Sequence, residues 1–327
     1  MRILSGIQPS GDLHIGNYFG MMKPMIRYQE EEELYCFVVN FHALTTVIDG
    51  EILRKNTINA VIDFLALGLD PSKSIFWVQS DVPEVTELTW YLSNVTPLAL
   101  LERSHSYKDK IAKGILPNHG LFTYPVLMAS DILLYQAEKV PVGKDQKQHV
   151  EITRDIAVKF NSIYGDTFIL PEPEINPNVA VIPGIDGQKM SKSYGNTIEI
   201  FSEEKKMRKK VMSIVTDSTP VGTPKEPSKC TLFAIYTLFA SKEEQESLAN
   251  KYRAGEFKYS EVKKELFERI WNYYAPYRNK RNELVKNLDY VYKVIKAGAE
   301  KAREKALPTI EKVRNRVGSN YLASSFK

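Results

Sequence analysis

The first half of the chain alternates between short β-rich runs and longer helical stretches, and this alternation restricts the fold more than any other feature of the sequence. The β-rich runs are Arg2–Ser5, Tyr35–Val39, Ser74–Val78 and Lys139–Val142. The helical stretches span about 17–32, 51–68, 84–112, 121–136 and 145–162. Strands that alternate with helices form a parallel sheet covered by helices on both faces. We therefore predict an α/β fold that binds its ligands outside the carboxyl ends of the strands.

The second half of the chain has a different pattern. Residues 165–188 are rich in Pro, Gly and Asn, which predicts an irregular connection with a short strand around Val179–Ile182. From Ser202, a predicted helix N-cap, the periodicity is helical throughout. A length of 327 residues fits two domains. We predict an α/β domain over 1–197, an all-α domain over 198–287 and a last helix over about 288–327, for which packing against the α/β domain is one arrangement.

Composition excludes several classes of protein. Hydrophobic residues make up 43% and charged residues 26% of the chain, as in ordinary globular proteins. No apolar run approaches the roughly 18 residues of a membrane helix, and the first residues read as a strand instead of a signal peptide. Cys36 and Cys230 lie far apart, which disfavours a metal centre and favours a reducing compartment. We therefore expect a cytoplasmic protein without a protein-bound metal.

Charge is distributed unevenly along the chain. Residues 198–327 hold 27 Lys and Arg against 17 Asp and Glu, whereas residues 1–197 hold 17 against 23. A basic region of this kind is typical of a protein with a polyanionic partner such as a nucleic acid. A solvated helical surface is the alternative, because Lys and Glu are both good helix formers.

The first chemical motif directly follows the first predicted strand. Pro9–Asn17 combines turn residues with a predicted helix start, where free backbone N–H groups and the helix dipole favour an anion. His14 and Asn17 are three residues apart and can face one ligand. A glycine at position 16 allows a flat ring to lie against the backbone. An ordinary capped βα loop is an equally good interpretation of this motif alone.

The second motif is Lys189–Ser193, bracketed by Gly184, Gly187 and Gly195. Lysine ammonium groups can follow a polyphosphate as its charge moves through a transition state. An exposed basic loop is the simpler interpretation of five residues. The presence of both motifs in one chain, in this order, makes chance a poor explanation.

Two further segments predict a small-molecule pocket. Tyr124, Met128, Asp131 and Tyr135 share one helix face, which places a carboxylate in an apolar stripe where it needs a donor such as an indole N–H. A bond from Asp131 to a neighbouring side chain is the alternative. Residues 140–149 join a strand end, a glycine and a helix start, as a nucleotide crevice requires.

These segments resemble one family. His14–Asn17 is similar to the HIGH signature of the class I aminoacyl-tRNA synthetases, and Lys189–Ser193 matches their KMSKS signature in full. The variant His-Ile-Gly-Asn is typical of the tryptophanyl-tRNA synthetases. Residues 121–135 resemble the tryptophan-pocket helix of that family, and residues 140–149 resemble its segment for ATP and the amino acid. The chain is thus similar to the bacterial-type tryptophanyl-tRNA synthetases over nearly its whole length.

The resemblance implies a Rossmann-like catalytic domain that joins L-tryptophan to tRNA(Trp) through an adenylate, with ATP as a substrate and Mg²⁺ as a cofactor. It implies that the catalytic residues are His14, Asn17, Lys110, Lys189 and Lys192, with Lys108 as an alternative to Lys110. It implies that ATP is bound by Gln8, Pro9, Ser10, Gly16, Asn17, Gly143, Lys144, Asp145, Ile182, Lys189, Met190, Ser191, Lys192 and Ser193. It implies that tryptophan is bound by Asp131, Tyr124, Met128 and Gln146.

The resemblance also implies partners. The family reads the anticodon with its all-α domain across a homodimer, so the expected partners are tRNA(Trp) and a second copy of the chain, with no DNA and no membrane. Two basic clusters are predicted to contact tRNA phosphates: Lys205, Lys206, Arg208, Lys209 and Lys210, and Arg278, Lys280 and Arg281. Leu4 and Asn40 depart from the family pattern, where an aromatic residue and an aspartate are usual. His42 and His149 are weaker candidates, and His149 is expected to form a structural hydrogen bond.

Three competing functions fit part of the sequence. A tyrosyl-tRNA synthetase would need partners for a phenol, and Asp131 in its helix and the full KMSKS motif disfavour it. A nucleotidyltransferase would share the HIGH-like loop but would not explain the basic helical half. A non-catalytic protein that binds RNA or tryptophan is disfavoured by the intact lysines at 189 and 192.

Overall fold

The sheet at the centre of the protein has five parallel strands. The structure is a computed structural model that describes residues 1–9, 11–104, 114, 116, 118–143, 146–175, 182–218, 220 and 222–321. The strands are β1 (Arg2–Ile7), β2 (Glu33–Val38), β3 (Ile75–Val78), β4 (Lys139–Pro141) and β5 (Glu172–Glu174). Their spatial order is β3-β2-β1-β4-β5, and every pair runs parallel. The four predicted strands and the α/β class are confirmed.

Strand β5 was not predicted, since it lies in the segment expected to be irregular. It pairs residue by residue with β4 and contains Pro173 between two glutamates. Proline is tolerated there because β5 is an edge strand, where one side of the backbone needs no partner. The short strand predicted around Val179–Ile182 falls largely on residues 179–181, outside the described residues.

Helices connect the strands of the first half. They are α1 (Ile15–Asn17), α2 (Lys23–Tyr28), α3 (Asn40–Ala43), α4 (Gly50–Ala66), α5 (Glu84–Ser93), α6 (Leu98–Glu102), α7 (His119–Leu134) and α8 (Lys147–Tyr164). A π-helical segment, Tyr18–Met22, joins α1 to α2. The single helix predicted over 84–112 is wrong: α5 ends at Ser93 and α6 begins after Pro97, because the residue before a proline is disfavoured in a helix.

The second half is helical, as predicted. Its helices are α9 (Glu204–Met212), α10 (Thr231–Tyr236), α11 (Lys242–Ala254), α12 (Tyr259–Tyr273), α13 (Ala275–Lys286) and α14 (Leu288–Val317). Ser202 is not the N-cap of α9, because Glu203 occupies that position. The Ser202 hydroxyl donates to the Glu199 carbonyl instead.

The sheet buries side chains on both faces. Ile3, Cys36 and Phe76 pack on one face, with α2, α4 and most of the helical half. Leu4, Phe37 and Trp77 pack on the other face, with α5, α7, α8 and α14. This alternation follows from the pleat, since successive side chains of a strand point to opposite faces. Cys36 is fully buried, as expected of a small core residue.

The long helix α14 lies against the edge strand β3. Gly298 approaches the backbone of β3 so closely that an added Cβ atom would lie 1.7 Å from the Phe76 carbonyl oxygen. Ion pairs from Arg303 to Glu84 (2.6 Å) and from Arg314 to Glu87 (2.6 Å) join the same helix to α5. The last described helix therefore packs on the α/β part of the protein.

Replacing Gly298 by alanine is expected to destabilise the protein by about 1–3 kcal/mol or more, because the added methyl group would collide with backbone that has little freedom to move. Thermal unfolding followed by circular dichroism measures the loss. Gly50→Ala is the matched control: a Cβ atom at Gly50 meets nothing within 4 Å. Equal melting temperatures for the two variants would contradict the close packing of α14 on β3.

Candidate functional site

A cavity of about 450 Å³ opens beside the carboxyl ends of β1 and β4. This is the position at which open parallel sheets bind ligands, and the volume is in the range of small-molecule sites. The cavity is lined by several predicted residues: Gln8, Tyr124, Met128, Asp131, Gly143 and Gln146. Leu4, where the family usually carries an aromatic residue, also lines it. The structure thus brings the predicted tryptophan-binding residues to one wall.

Asp131 is the buried carboxylate of this cavity, with only 3% of its surface exposed. Its Oδ1 accepts a hydrogen bond from Gln79 Nε2 at 2.8 Å, and its Oδ2 lies 2.8 Å from His42 Nε2. Burial raises the pKa of Asp131, while His42 and Gln79 oppose that rise by favouring the charged form. The neighbours named by the alternative interpretation are therefore present, and they hold an acceptor at the cavity wall.

Gln79 is a site residue that the sequence analysis missed, and His42 was ranked too low. Gln79 follows the last residue of β3, in a one-turn 3₁₀ helix, Gln79–Asp81. Its side-chain oxygen also accepts from the Phe41 N–H at 3.0 Å, which fixes the loop that carries His42. The rule that ligands meet the carboxyl ends of strands would have indicated Gln79.

A second hydrogen bond orders the opposite wall. The Tyr124 hydroxyl lies 3.0 Å from His149 Nε2, and His149 is 2% exposed. Tyr135 does not share this wall, contrary to the helix-face prediction. Helix α7 ends at Leu134, and the ring of Tyr135 packs against Tyr35 and Trp77 in the core.

The HIGH-like motif forms a tight helix start. His14 Nδ1 accepts from the Asn17 N–H, and Asn17 Oδ1 accepts from the His14 N–H, so each side chain caps the other residue. A β-like segment after the KMSKS motif holds this start: Ile15 donates to Ile198, and Ile200 donates to Leu13. The two ATP signatures are thereby tied to one another through the backbone.

The KMSKS loop lies against the HIGH-like motif. A Cβ atom on Gly16 would lie 3.3 Å from the Met190 Cβ, so the two motifs are in contact. Met190 and Ile182 are buried in the core, which leaves their backbone as the part that could meet a nucleotide. Asn196 holds the loop, because its side chain accepts from the Ser191 N–H and donates to the Lys189 carbonyl.

The two lysines of the loop differ in environment. Lys189 is exposed, whereas Lys192 is half-buried at the start of a one-turn 3₁₀ helix, Lys192–Tyr194. Burial lowers the pKa of Lys192, and the charges of Asp12, Asp63 and Glu199 act in the opposite direction. Lys192 is thus a cation in an acidic surrounding beside the HIGH-like motif.

Burial and the charge of Lys192 lower the pKa of His14 to about 4, so its imidazole is neutral near pH 7. A neutral ring can accept the Asn17 N–H that it caps. The cationic groups of this region are therefore lysines.

We predict that His14 makes stability depend on pH. Its pKa is about 4 when folded and near 6.5 when unfolded, so the unfolded chain binds more protons in between. The stabilisation is complete above pH 6.5 and is lost as the pH falls towards 4. His14→Asn keeps a capping side chain, so the difference in unfolding free energy between wild type and variant should shrink over this range in urea titrations. A difference that is constant with pH would contradict this.

Four predicted site residues lie outside the described residues: Ser10, Lys110, Lys144 and Asp145. Lys108, the alternative to Lys110, does so too. Of the remaining predicted ATP residues, Gln8 and Gly143 line the cavity, and Pro9 is buried beside them. Asn40 exchanges two hydrogen bonds with Ser80, one of which requires the amide donor that an aspartate would lack.

Some residues of the basic clusters have structural partners. Arg281 pairs with the buried Asp63, and the Arg278 guanidinium lies 3.5 Å from the centroid of the Trp271 ring. Arg208 pairs with two glutamates. The exposed members are Lys205, Lys206 and Lys209.

Two searches of the described ranges gave no candidates. None of the helices in these ranges is both long and apolar enough to span a bilayer. The described side chains also include no group of three His, Cys, Asp or Glu placed to hold a metal ion.

The chain is similar to proteins of one family. A profile of the class I tRNA synthetases (W and Y) matches residues 1–275. A tryptophan–tRNA ligase of Fusobacterium nucleatum subsp. nucleatum is 56% identical over 97% of this chain and 98% of its own length. The crystal structure of the tryptophanyl-tRNA synthetase of Campylobacter jejuni in complex with ADP and tryptophan is 51% identical, covers 97% of this chain and 100% of its own, and superposes with a TM-score of 0.93.

The tyrosyl-tRNA synthetase of Archaeoglobus fulgidus shares the fold alone, at 19% identity and a TM-score of 0.65. The high identities are to tryptophan enzymes, and the signatures that these comparisons align lie together beside the cavity. The chain belongs to the class I tRNA synthetases, in their bacterial-type tryptophanyl group.

Proposed function

We propose that this chain is a tryptophan–tRNA ligase that uses the cavity beside β1 and β4 for tryptophan and the two signature loops for ATP. It activates L-tryptophan with ATP and transfers the activated amino acid to tRNA(Trp), which supplies protein synthesis. The observation that carries the assignment of the cavity is the buried carboxylate of Asp131, held at its wall by Gln79 and His42. An indole N–H is a donor without acceptor capacity, so a fixed carboxylate suits it.

The reaction has two steps. An oxygen of the tryptophan carboxylate attacks the α-phosphorus of ATP, and the bond from that phosphorus to the bridging oxygen breaks, giving tryptophanyl-adenylate and pyrophosphate. A hydroxyl of the terminal ribose of the tRNA, the 2′-hydroxyl in the class I pattern, then attacks the acyl carbon, and AMP leaves. The protein contributes positioning and charge stabilisation, with no covalent enzyme intermediate.

Each group of residues has a role in this proposal. Asp131 accepts from the indole N–H, Tyr124 and Met128 bound the ring, and Gln146 binds the amino group. The phosphates are met by Lys189 and Lys192, together with His14, Asn17 and Lys110. The remaining ATP contacts are Gln8, Pro9, Ser10, Gly16, Gly143, Lys144, Asp145, Ile182, Met190, Ser191 and Ser193.

Mg²⁺ belongs to the nucleotide in this proposal. The groups around the phosphate region include Lys189, Lys192 and the neutral His14, which suit an anion better than a metal ion. Mg²⁺ keeps several waters and is commonly bound through substrate phosphates. It therefore enters on the oxygens of ATP, where it supplies charge neutralisation.

The remaining proposals concern assembly. The all-α region 198–287 binds the anticodon part of tRNA(Trp), with Lys205, Lys206 and Lys209 as phosphate contacts. The chain works as a homodimer in the cytoplasm. Exposed apolar side chains on two nearby parts of the α/β region support an interface: Leu44, Ile48, Ile52, Trp90 and Leu98. Sedimentation equilibrium should give twice the chain mass of 37.3 kDa, and a single-chain mass would refute the dimer.

Amino-acid-dependent exchange of pyrophosphate into ATP tests the function. The purified chain is assayed with MgATP and each of the twenty amino acids, without tRNA. We expect exchange with tryptophan alone. Exchange with tyrosine would overturn the role of Asp131, and folded protein that gives no exchange would support a non-catalytic binding protein.

A further inference from the structure

Asp63 is a buried carboxylate outside the cavity. It lies in the middle of α4, is 4% exposed, and is followed by the fully buried Phe64. A buried ionised carboxylate is costly unless a cation pairs with it. Among the described residues that line the tryptophan cavity, none lies on α4. The role proposed for the cavity therefore does not account for Asp63.

The cation that pairs with Asp63 comes from the helical half. Arg281 on α13 donates from Nε to Asp63 Oδ1 at 2.6 Å. The same guanidinium lies 5.1 Å from the centroid of Phe201. Phe201 directly follows Ile200, whose N–H donates to Leu13 at the entrance to the HIGH-like motif. Arg281 thus contacts both α4 and the segment that ties the two ATP signatures together.

Asp63 also belongs to the charge cluster of the KMSKS loop. Asp63 and Lys192 each act on the other's charge, and Asp12 acts on both. Glu199 is the third carboxylate that acts on Lys192. Burial and Asp12 raise the pKa of Asp63 to about 6, even though Arg281 and Lys192 oppose the rise. Asp63 is therefore an anion near pH 7 that becomes neutral in mildly acidic solution.

We propose that the Asp63–Arg281 pair positions the Lys192 ammonium for ATP and makes its placement depend on the helical half of the protein. Asp63 holds Lys192 beside the HIGH-like motif, and Arg281 keeps Asp63 charged and oriented. A shift of α13 alters this pair and so changes the ATP site. The inference rests on the proposed function, since it assigns positioning residues for the same ATP site.

Two variants remove the pair in different ways. Asp63→Asn removes the charge and keeps the shape. The double variant Asp63→Leu with Arg281→Met replaces the pair by apolar side chains, a change that proteins often tolerate without loss of stability. Glu84→Gln is the matched control, because Glu84 is also 4% exposed and pairs with Arg303 at 2.6 Å, between α5 and α14.

We expect both Asp63 variants to weaken ATP binding and the KM for ATP by about 10- to 100-fold, the range over which misplacing a reacting group reduces rates. The KM for tryptophan should stay at the wild-type value. Glu84→Gln should lower the melting temperature and leave the KM for ATP unchanged. ATP binding is measured by calorimetry without tryptophan, and both KM values by pyrophosphate exchange.

The pH profile separates positioning from folding. In the wild type, ATP binding should weaken below about pH 6, where Asp63 gains a proton and ceases to attract Lys192. This limb should be absent in Asp63→Asn, whereas the titration of ATP itself is common to both proteins. A folded double variant with wild-type ATP affinity and an intact acidic limb would overturn the proposal. Wild-type protein that binds ATP but gives no exchange with tryptophan would refute the proposed function and leave this test in force.

Discussion

Lys192→Ala is expected to slow adenylate formation by about 10²–10³-fold, because removing one preorganised charge that meets the developing negative charge of a transition state costs this much. Tryptophan affinity should not change, since Lys192 does not line the described cavity. Single-turnover formation of adenylate measures the rate, and calorimetric titration measures tryptophan binding.

Lys242→Ala is the control for this experiment. Lys242 is an exposed lysine at the start of α11 and has no role in the proposed ATP site. Its variant should form adenylate at the wild-type rate. If Lys192→Ala also did so, the KMSKS loop would have to act through Lys189 alone.

Asp131→Asn is expected to lower the affinity for tryptophan by at least about 10²-fold, because hydrogen bonds to charged groups contribute about 1.5–3 kcal/mol and an unpaired buried donor adds a penalty. The neutral amide also presents one acceptor atom where the carboxylate presents two. Its NH₂ group would then face the Gln79 and His42 donors or the incoming indole N–H. Titration of the variant with tryptophan measures the loss.

Asp155→Asn is the matched control, because Asp155 is an exposed aspartate on the neighbouring helix α8. The melting temperature of both variants is measured in parallel, so that a folding defect is separated from a binding defect. Retained tryptophan affinity in a folded Asp131→Asn protein would remove Asp131 from the proposed pocket. Gln79 would then be the next donor or acceptor to test.

The strands that the sequence predicted correctly are those whose side chains decide the structure. Strand β2, for example, is a run of apolar residues because it is buried on both faces of the sheet. Strand β5 has the sequence Glu172–Glu174 with a proline in the middle, and its pairing with β4 is a matter of backbone hydrogen bonds at an edge. Such pairing leaves no periodic signal in the side chains.

The site divides in a similar way. Residues close together in sequence, such as His14 and Asn17 or Tyr124, Met128 and Asp131, could be grouped by helical spacing, and the structure places them together. Gln79 and His42 reach Asp131 from other strand ends. Arg281 reaches Asp63 across 218 positions of sequence, so its charge alone indicated a phosphate contact. Local patterns carry no information about such long-range partners.

The packing of α14 on β3 has a consequence for how the protein is made. Arg303 and Glu84 are 219 positions apart, and Gly298 meets Phe76 across a similar span. During synthesis, the face of β3 that α14 covers stays open until nearly the whole chain has left the ribosome. Contacts this distant form slowly, and an uncovered sheet edge can pair with other chains. Premature termination before α14 would therefore release a polypeptide with an open sheet edge, which is a substrate for chaperones and proteases.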